Sequence, residues 1–253
     1  MAGRFAAIVG LALAASGGAA LADPQGVTPV QLEEAVAVRP GTIELQAGSR
    51  YTLDRYNSAG DHLATFYPRV KVGVVGGLEL DLAAPYRIGN QSGGNAGNGS
   101  VAVLYDFDNQ TKYIPRLAAR VSYLPSFGSG GDTQQYVVQG AATKWLGATE
   151  RAPRLYLNLV WNHLAQRSST QRTDWIEVGA AYSQLVGEHT AAVVGITHGA
   201  KSSIGQNQTI VDVGLRHEFG SSWLVSAGVG AGIGQQSPAF RALLVLQKSF
   251  RVF

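Results

Sequence analysis

The stretch "TIELQAGSRYTLD", Thr42 to Asp54, alternates with a period of two. Ile43, Leu45, Ala47, Tyr51 and Leu53 fall on one face, and Glu44, Gln46, Gly48, Arg50, Thr52 and Asp54 on the other. A helix would repeat its apolar positions every three to four residues. Strict alternation is the mark of a strand with one apolar and one polar face. The pattern recurs along the chain. "LELDL" sets Leu78, Leu80 and Leu82 against Glu79 and Asp81, and "SVAVLYDFD" sets Val101, Val103, Tyr105 and Phe107 against Ala102, Leu104, Asp106 and Asp108. "RLAARVSYL", "RLYLNLVWNH" and "TIVDVGLRHEF" behave alike, the last with Val211, Val213 and Leu215 opposite Asp212, Gly214, Arg216 and Glu218.

Turn signals between these runs give twelve predicted strands, over 42–55, 62–74, 78–87, 99–108, 114–125, 132–145, 153–165, 173–185, 188–199, 207–219, 222–233 and 238–250. Most reach the ~9–11 residues of a tilted membrane strand. Their connections alternate. "VGG" near Val75, "DNQTKY" near Gln110, "VGE" near Val186 and "FGSS" near Gly220 are short, whereas 89–99, 126–132, 166–172, 201–208 and 234–238 are mostly longer or more polar. Two connections depart from the rule: 146–152 is long for its side and 57–61 short for its own. Short turns at one end and longer loops at the other belong to outer-membrane barrels, as does an even strand count. The fold class expected is therefore all-β, a closed antiparallel up-and-down transmembrane barrel of about twelve strands over residues 41–253.

The end of the chain, "LLVLQKSFRVF", fits that closure. A last strand must pair with the first, because an open edge in lipid strands its backbone groups. Its outward phase is Phe240, Ala242, Leu244, Leu246 and Phe250, with Lys248 able to snorkel to the interface. Phe250 and Phe253 resemble the C-terminal signal that the barrel assembly machinery reads, Phe250 standing in the better alternating phase. Tyr51, Tyr105, Phe107, Tyr123, Trp161, Tyr182 and Phe219 fall near predicted strand ends, as interface girdles do.

At the other end, Arg4, the apolar run Phe5 to Ala15 and "ALA" at 20–22 read as a cleaved signal peptide over 1–22. Export leaves a periplasmic β domain or an outer-membrane barrel, and the barrel pattern makes the outer membrane of a Gram-negative bacterium the expected location, with lipids and lipopolysaccharide as neighbours. Without Arg4, nineteen basic residues face seventeen acidic ones, too even a balance to point to nucleic acid. Cysteine is absent, which excludes disulfides, thiolate metal sites and cysteine nucleophiles. The five histidines lack metal-ligand spacing. Neither cofactor nor metal is expected. Glycine is abundant, 32 of 253, against a usual ~7%. No later apolar run is long enough for a membrane helix. Residues 23–40 are expected on the periplasmic side. Within them "TPVQLEEAVAV", Thr28 to Val38, reads as a short amphipathic helix capped by Thr28 that could plug the mouth, or as a loosely ordered leader.

Residues 28–125 resemble the outer-membrane family named for the MetA pathway of phenol degradation, also described as transporters. "TPVQLEEAVAVRPGTIELQAGSRYTLDR", "VKVGVVGGLELDLAAPYRI" and "SYLPSFGSGGD" carry the resemblance. It rests on spacing and texture, and it implies a barrel channel for small, hydrophobic or aromatic molecules.

Enzymatic chemistry has thin support. A lipid hydrolase or deacylase could use His198 with Ser202 or Ser203, or His163 with Ser168, but no third orienting group stands nearby in sequence. "GVGAGIG", Gly228 to Gly234, lies inside a strand pattern and no helix follows, so it is no phosphate loop. The expected function is a non-enzymatic channel or transporter for small solutes, with a lipid-modifying barrel or a sealed structural barrel as alternatives. The lumen is expected to carry Arg50, Arg69, Lys71, Glu79, Asp81, Asp106, Arg116, Arg120, Glu177, Asp212, Arg216 and Glu218. Among them, a three-residue loop at Val75-Gly76-Gly77 would bring Lys71 opposite Glu79 or Asp81, with Arg69 one step further, and Asp106 faces Arg116. Such cross-strand pairs would narrow the channel.

Overall fold

The computed structural model describes residues 32–55, 62–89, 96–128, 134–149, 151–165 and 169–252. The expected signal peptide, residues 28–31 of the expected helix, Ser168 and Phe253 lie outside the described residues. Fourteen strand segments form one antiparallel sheet: β1 (Thr42–Asp54), β2 (His62–Val75), β3 (Leu78–Ala83), β4 (Tyr86–Gly89), β5 (Ala96–Asn98), β6 (Ser100–Asp106), β7 (Arg116–Gly128), β8 (Gln134–Trp145), β9 (Arg154–Leu164), β10 (Asp174–Leu185), β11 (Thr190–Ala200), β12 (Asn207–Phe219), β13 (Trp223–Ile233) and β14 (Pro238–Arg251). β1 pairs with both β2 and β14, so the sheet closes on itself. Ile43 stands opposite Phe250, and Thr42 opposite Arg251.

The segments fill twelve positions around the barrel. β3 and β4 are the third expected strand, interrupted at Ala84-Pro85, and β5 and β6 are the fourth, interrupted at Gly99. Prolines account for the interruptions, since each removes a ladder donor. Pro68 on β2 stands beside the break at Ala84-Pro85, and Pro125 on β7 beside the break at Gly99. The carbonyls of Pro68, Pro85 and Pro125 accept instead from the amides of Ala84, Asn98 and Gly99 at 3.1, 3.0 and 2.8 Å.

The alternation sorts the two faces as the sequence requires. Leu80, Leu82, Val101, Val103, Leu155, Leu157, Leu159, Val213, Leu215, Leu244 and Leu246 are exposed on the outer wall. A contiguous apolar belt of this extent is the surface of a membrane barrel, not of a protein in water. Aromatic residues flank it: Tyr105, Phe107, Tyr182 and Phe219 toward the end where β1 starts and β14 finishes, Tyr51, Tyr123 and Trp161 toward the other. Lys248 does snorkel, with its ammonium 4.7 Å above the Trp223 ring and 2.8 Å from the Ser222 hydroxyl. Among the described residues no helix is long and apolar enough to cross a membrane.

The segment before β1 differs from expectation. Residues 32–38 are not helical, and they lie inside the barrel rather than beneath it. Arg39-Pro40-Gly41-Thr42 is a reverse turn, closed by Thr42 N–H donating to Arg39 O at 3.0 Å. Pro40 presets the first corner, and Gly41 takes φ 75° at the second, as in a type II turn. The turn folds the preceding chain back up the lumen, against the inner face of the strands that follow.

Candidate channel lumen

The inserted segment is extended, so it must find partners for its backbone groups. The barrel wall supplies them from side chains. Val38 N–H donates to Glu79 Oε2 at 2.9 Å, Ala37 N–H to Asp106 Oδ2 at 3.1 Å, Ala35 N–H to Thr143 Oγ1 at 3.0 Å and Glu33 N–H to Asn158 Oδ1 at 2.7 Å. Asn158 returns a bond from Nδ2 to Glu33 O at 2.8 Å. Small and apolar side chains fill the remaining contacts: Ala35 and Ala37 pack on Leu104, Ala118 and Ala141, and Leu32 on Tyr156, Ala181 and Val193. Gly73 on β2 admits the root of the segment, because a Cβ there would overlap the carbonyls of Val38 and Arg39.

Glu33 is the centre of the charge network. Its carboxylate meets Arg69 at 3.0 Å, Lys71 at 2.9 Å and Arg120. Asp81 holds Arg69 at 2.5 Å and Arg120 at 2.6 Å, and Glu79 holds Lys71 at 3.1 Å. Three cations and three carboxylates thus form one neutral knot, with Glu79 and Asp81 buried. Burial of Glu33 opposes its charge, but Arg69, Lys71 and Arg120 outweigh that and keep the carboxyl well below the usual carboxylate range. Glu34 pairs with Arg154 at 3.0 Å.

The pairs foreseen between β2 and β3 are present, with an altered turn. Lys71 lies opposite Asp81 in register and pairs diagonally with Glu79, while Arg69 pairs diagonally with Asp81. The loop has two residues, Gly76-Gly77, not three. A bulge at Val74 supplies the extra residue and keeps the charges inward. Asp106 and Arg116 also pair, at 2.5 Å, with Asp108 adding a second carboxylate at 3.1 Å. Elsewhere Glu177 accepts from Trp175 Nε1 at 3.1 Å and Asn162 Nδ2 at 3.2 Å, Asp212 is held by Arg241, and Arg216 is buried. Glu218 stands 3.5 Å from His189. Arg50 belongs to the inner face of β1 but not to the knot. Phe250 pairs into β14 opposite Ile43.

Arg154, Arg241 and Thr143 are lumen residues that the sequence reading did not single out; Glu33 and Glu34 were placed only in the expected helix, and Asn158 only on the polar face of its strand. For Arg241 the signal was present: Phe240 and Ala242 point outward, so Arg241 points in. Arg154, beside outward Leu155, follows the same rule.

The His198 candidate does not assemble, and Ser168, the expected partner of His163, lies outside the described residues. His198 Nδ1 is 2.8 Å from Thr209 Oγ1, and Ser203 sits in a β-bridge with Gln171. His163 is half-buried on the outer wall, 2.9 Å from Asp174. A hollow of about 380 Å³ is lined mainly by the outward residues Ser49, Tyr51, Ala64, Phe66, Ile88, Ala242 and Leu244, with Arg50, Thr65 and Leu243 between them. Among the described residues there is no group of metal-ligating side chains.

No family model matches the chain, and no curated protein matches it by sequence. Solved structures do. The COG4313 outer membrane channel from Pseudomonas putida F1 is similar over 87% of this chain and 100% of its own, at a TM-score of 0.68 and 13% identity. The KdgM porin in complex with disordered oligogalacturonate covers 83% of this chain and 99% of its own, at 0.54 and 11% identity. The NanC porin covers 83% and 99%, at 0.53 and 12% identity. At these identities the likeness establishes the fold: this chain has the closed barrel of outer-membrane channels and porins. The phenol-pathway family rests on the sequence resemblance alone.

Proposed function

We propose that the protein is a narrow outer-membrane channel for small solutes of low polarity, aromatic compounds among them, whose periplasmic half is held shut by its own residues 32–41. The observation that carries this reading is the neutral knot around Glu33. It lines the lumen with charge yet leaves little free charge to attract hydrophilic ions, and Leu32, Ala35 and Ala37 make apolar contacts with the wall beside it. The start of β1, the finish of β14 and the short turns face the periplasm in this reading, and the long loops face lipopolysaccharide. Export through residues 1–22 and insertion by the assembly machinery through the Phe250 to Phe253 end belong to the same proposal.

Reconstitution in planar bilayers and proteoliposomes tests it. Small, discrete potassium chloride conductance steps are expected, together with uptake of a neutral aromatic such as benzyl alcohol that exceeds uptake of a sugar of similar mass. Silence in both assays would mark a sealed barrel and refute the proposal. Fatty-acid release from the vesicle lipids would favour the hydrolase instead.

A further inference from the structure

We propose that Arg50, Thr65 and Tyr67 form a binding site for the carboxylate of a small amphipathic acid, in the lumen on the loop side of the Glu33 knot. The inference rests on the channel reading and names a substrate class for it.

The three residues share the inner face of β1 and β2. Arg50 is the register partner of Thr65, and Gly48 that of Tyr67. The Tyr67 ring lies directly against Gly48. On β2 the inward residues run Thr65, Tyr67, Arg69, Lys71, so Tyr67 separates Arg50 from the knot. The contrast between the two regions is sharp. Arg69, Lys71, Arg116, Arg120, Arg154 and Arg241 each hold a carboxylate. Arg50 forms no ion pair or hydrogen bond among the described residues. The neighbouring carboxylate, Asp212, is already gripped by two nitrogens of Arg241. Arg241 and Arg87 also interact with Arg50 electrostatically, so the local excess is positive.

Two hydroxyls complete the group. Thr65 is 4% exposed, and its Oγ1 is buried with no partner. The Tyr67 hydroxyl likewise has none among the described residues. A guanidinium fork accepts a carboxylate through two parallel bonds, and each hydroxyl can donate one more. Leaving such donors unmatched in a confined lumen is costly, and an arriving carboxylate removes that cost. The surroundings beyond the donors are apolar. Leu243 stands opposite Arg50, and buried Val245 opposite Gly48. A ligand with one carboxylate and a small apolar body meets both halves of the site.

Equilibrium dialysis of radiolabelled benzoate against the purified full chain, folded in detergent and checked by heat-modifiable migration, tests the site. Saturable benzoate binding is expected, with little binding of benzyl alcohol. Arg50→Gln should weaken benzoate binding about tenfold or more, and Arg50→Lys and Thr65→Val should weaken it less. Should Arg50→Gln not fold, the Lys and Val variants decide. No saturable binding by the parent chain, equal affinity in the variants, or benzyl alcohol bound as well as benzoate would each overturn the proposal. Potassium chloride conductance separates the two readings. Benzoate binding without conductance removes the channel and keeps the site; conductance without benzoate binding does the reverse.

Discussion

Glu33→Gln should unseat the inserted segment while leaving the barrel intact. The knot holds Arg69, Lys71 and Arg120 against Glu33, Glu79 and Asp81, three charges of each sign. The substitution keeps the shape and removes one carboxylate, leaving an excess cation among groups shielded from water. Removing one partner from a buried ion pair costs roughly 3–5 kcal/mol. Here each cation keeps a second carboxylate on β3, and the Glu33 side chain is 13% exposed, so screening lowers the figure. About 2–3 kcal/mol is a reasonable expectation for docking of the segment, or roughly 30- to 150-fold in its docked population. The strands do not depend on Glu33, so heat-modifiable migration should be unchanged. Single-channel recordings should show openings that are larger and more frequent than in the parent. Glu34→Gln removes the Arg154 pair and should act in the same direction but more weakly. A Glu33→Gln protein with the parent's conductance and opening frequency would refute the idea that this carboxylate anchors the plug.

Gly73→Val should give a similar rise in conductance by a different route, since its side chain must displace the carbonyls of Val38 and Arg39; unchanged recordings would show that the segment is not seated there. Val213→Arg should impair outer-membrane assembly far more than Gly214→Ser, because Val213 is 49% exposed on the apolar wall and arginine at mid-bilayer costs roughly 2–4 kcal/mol. Equal yields of folded barrel would contradict that placement. Deleting Phe250 to Phe253 should abolish the folded barrel in the membrane, as it removes the pairing of Phe250 and Arg251 with Ile43 and Thr42; normal accumulation of protease-resistant protein would show that closure does not need it.

The barrel was legible because its pattern has period two and its consequence is local. Each strand shows which residues face lipid without knowledge of its neighbours, and "TIELQAGSRYTLD" already assigns Arg50 and Glu44 to the lumen. Cross-strand pairs need one further step, the parity of the turn. That step correctly brought Lys71 and Arg69 beside Glu79 and Asp81, although the loop is Gly76-Gly77 with a bulge at Val74. Proline effects were harder to anticipate. The third strand breaks at Ala84-Pro85, where Pro68 of β2 stands opposite, and the fourth breaks at Gly99, where Pro125 of β7 stands opposite, and adjacency of that kind is not written in any one segment.

The inserted segment was hidden for a different physical reason. Its conformation is not set by its own residues. Thr28, Pro29 and the two glutamates suit a helix start, and an isolated segment of this length has no stable preference in water. What overrides that tendency is the wall: Glu79, Asp106, Thr143 and Asn158 accept its amides, and three cations wait for Glu33. One clue was local all the same. Arg39-Pro40-Gly41-Thr42 stands immediately before β1, and a Pro-Gly pair at the two corners of a turn reverses the chain. Reversal at the root of the first strand of a barrel leaves the preceding residues two places to go, along the outer wall or into the lumen. Glu33 and Glu34 decide between them, since two carboxylates facing lipid are prohibitive and the lumen offers arginines and lysine. The turn and the acidic pair together are a readable signature for a barrel that fills itself.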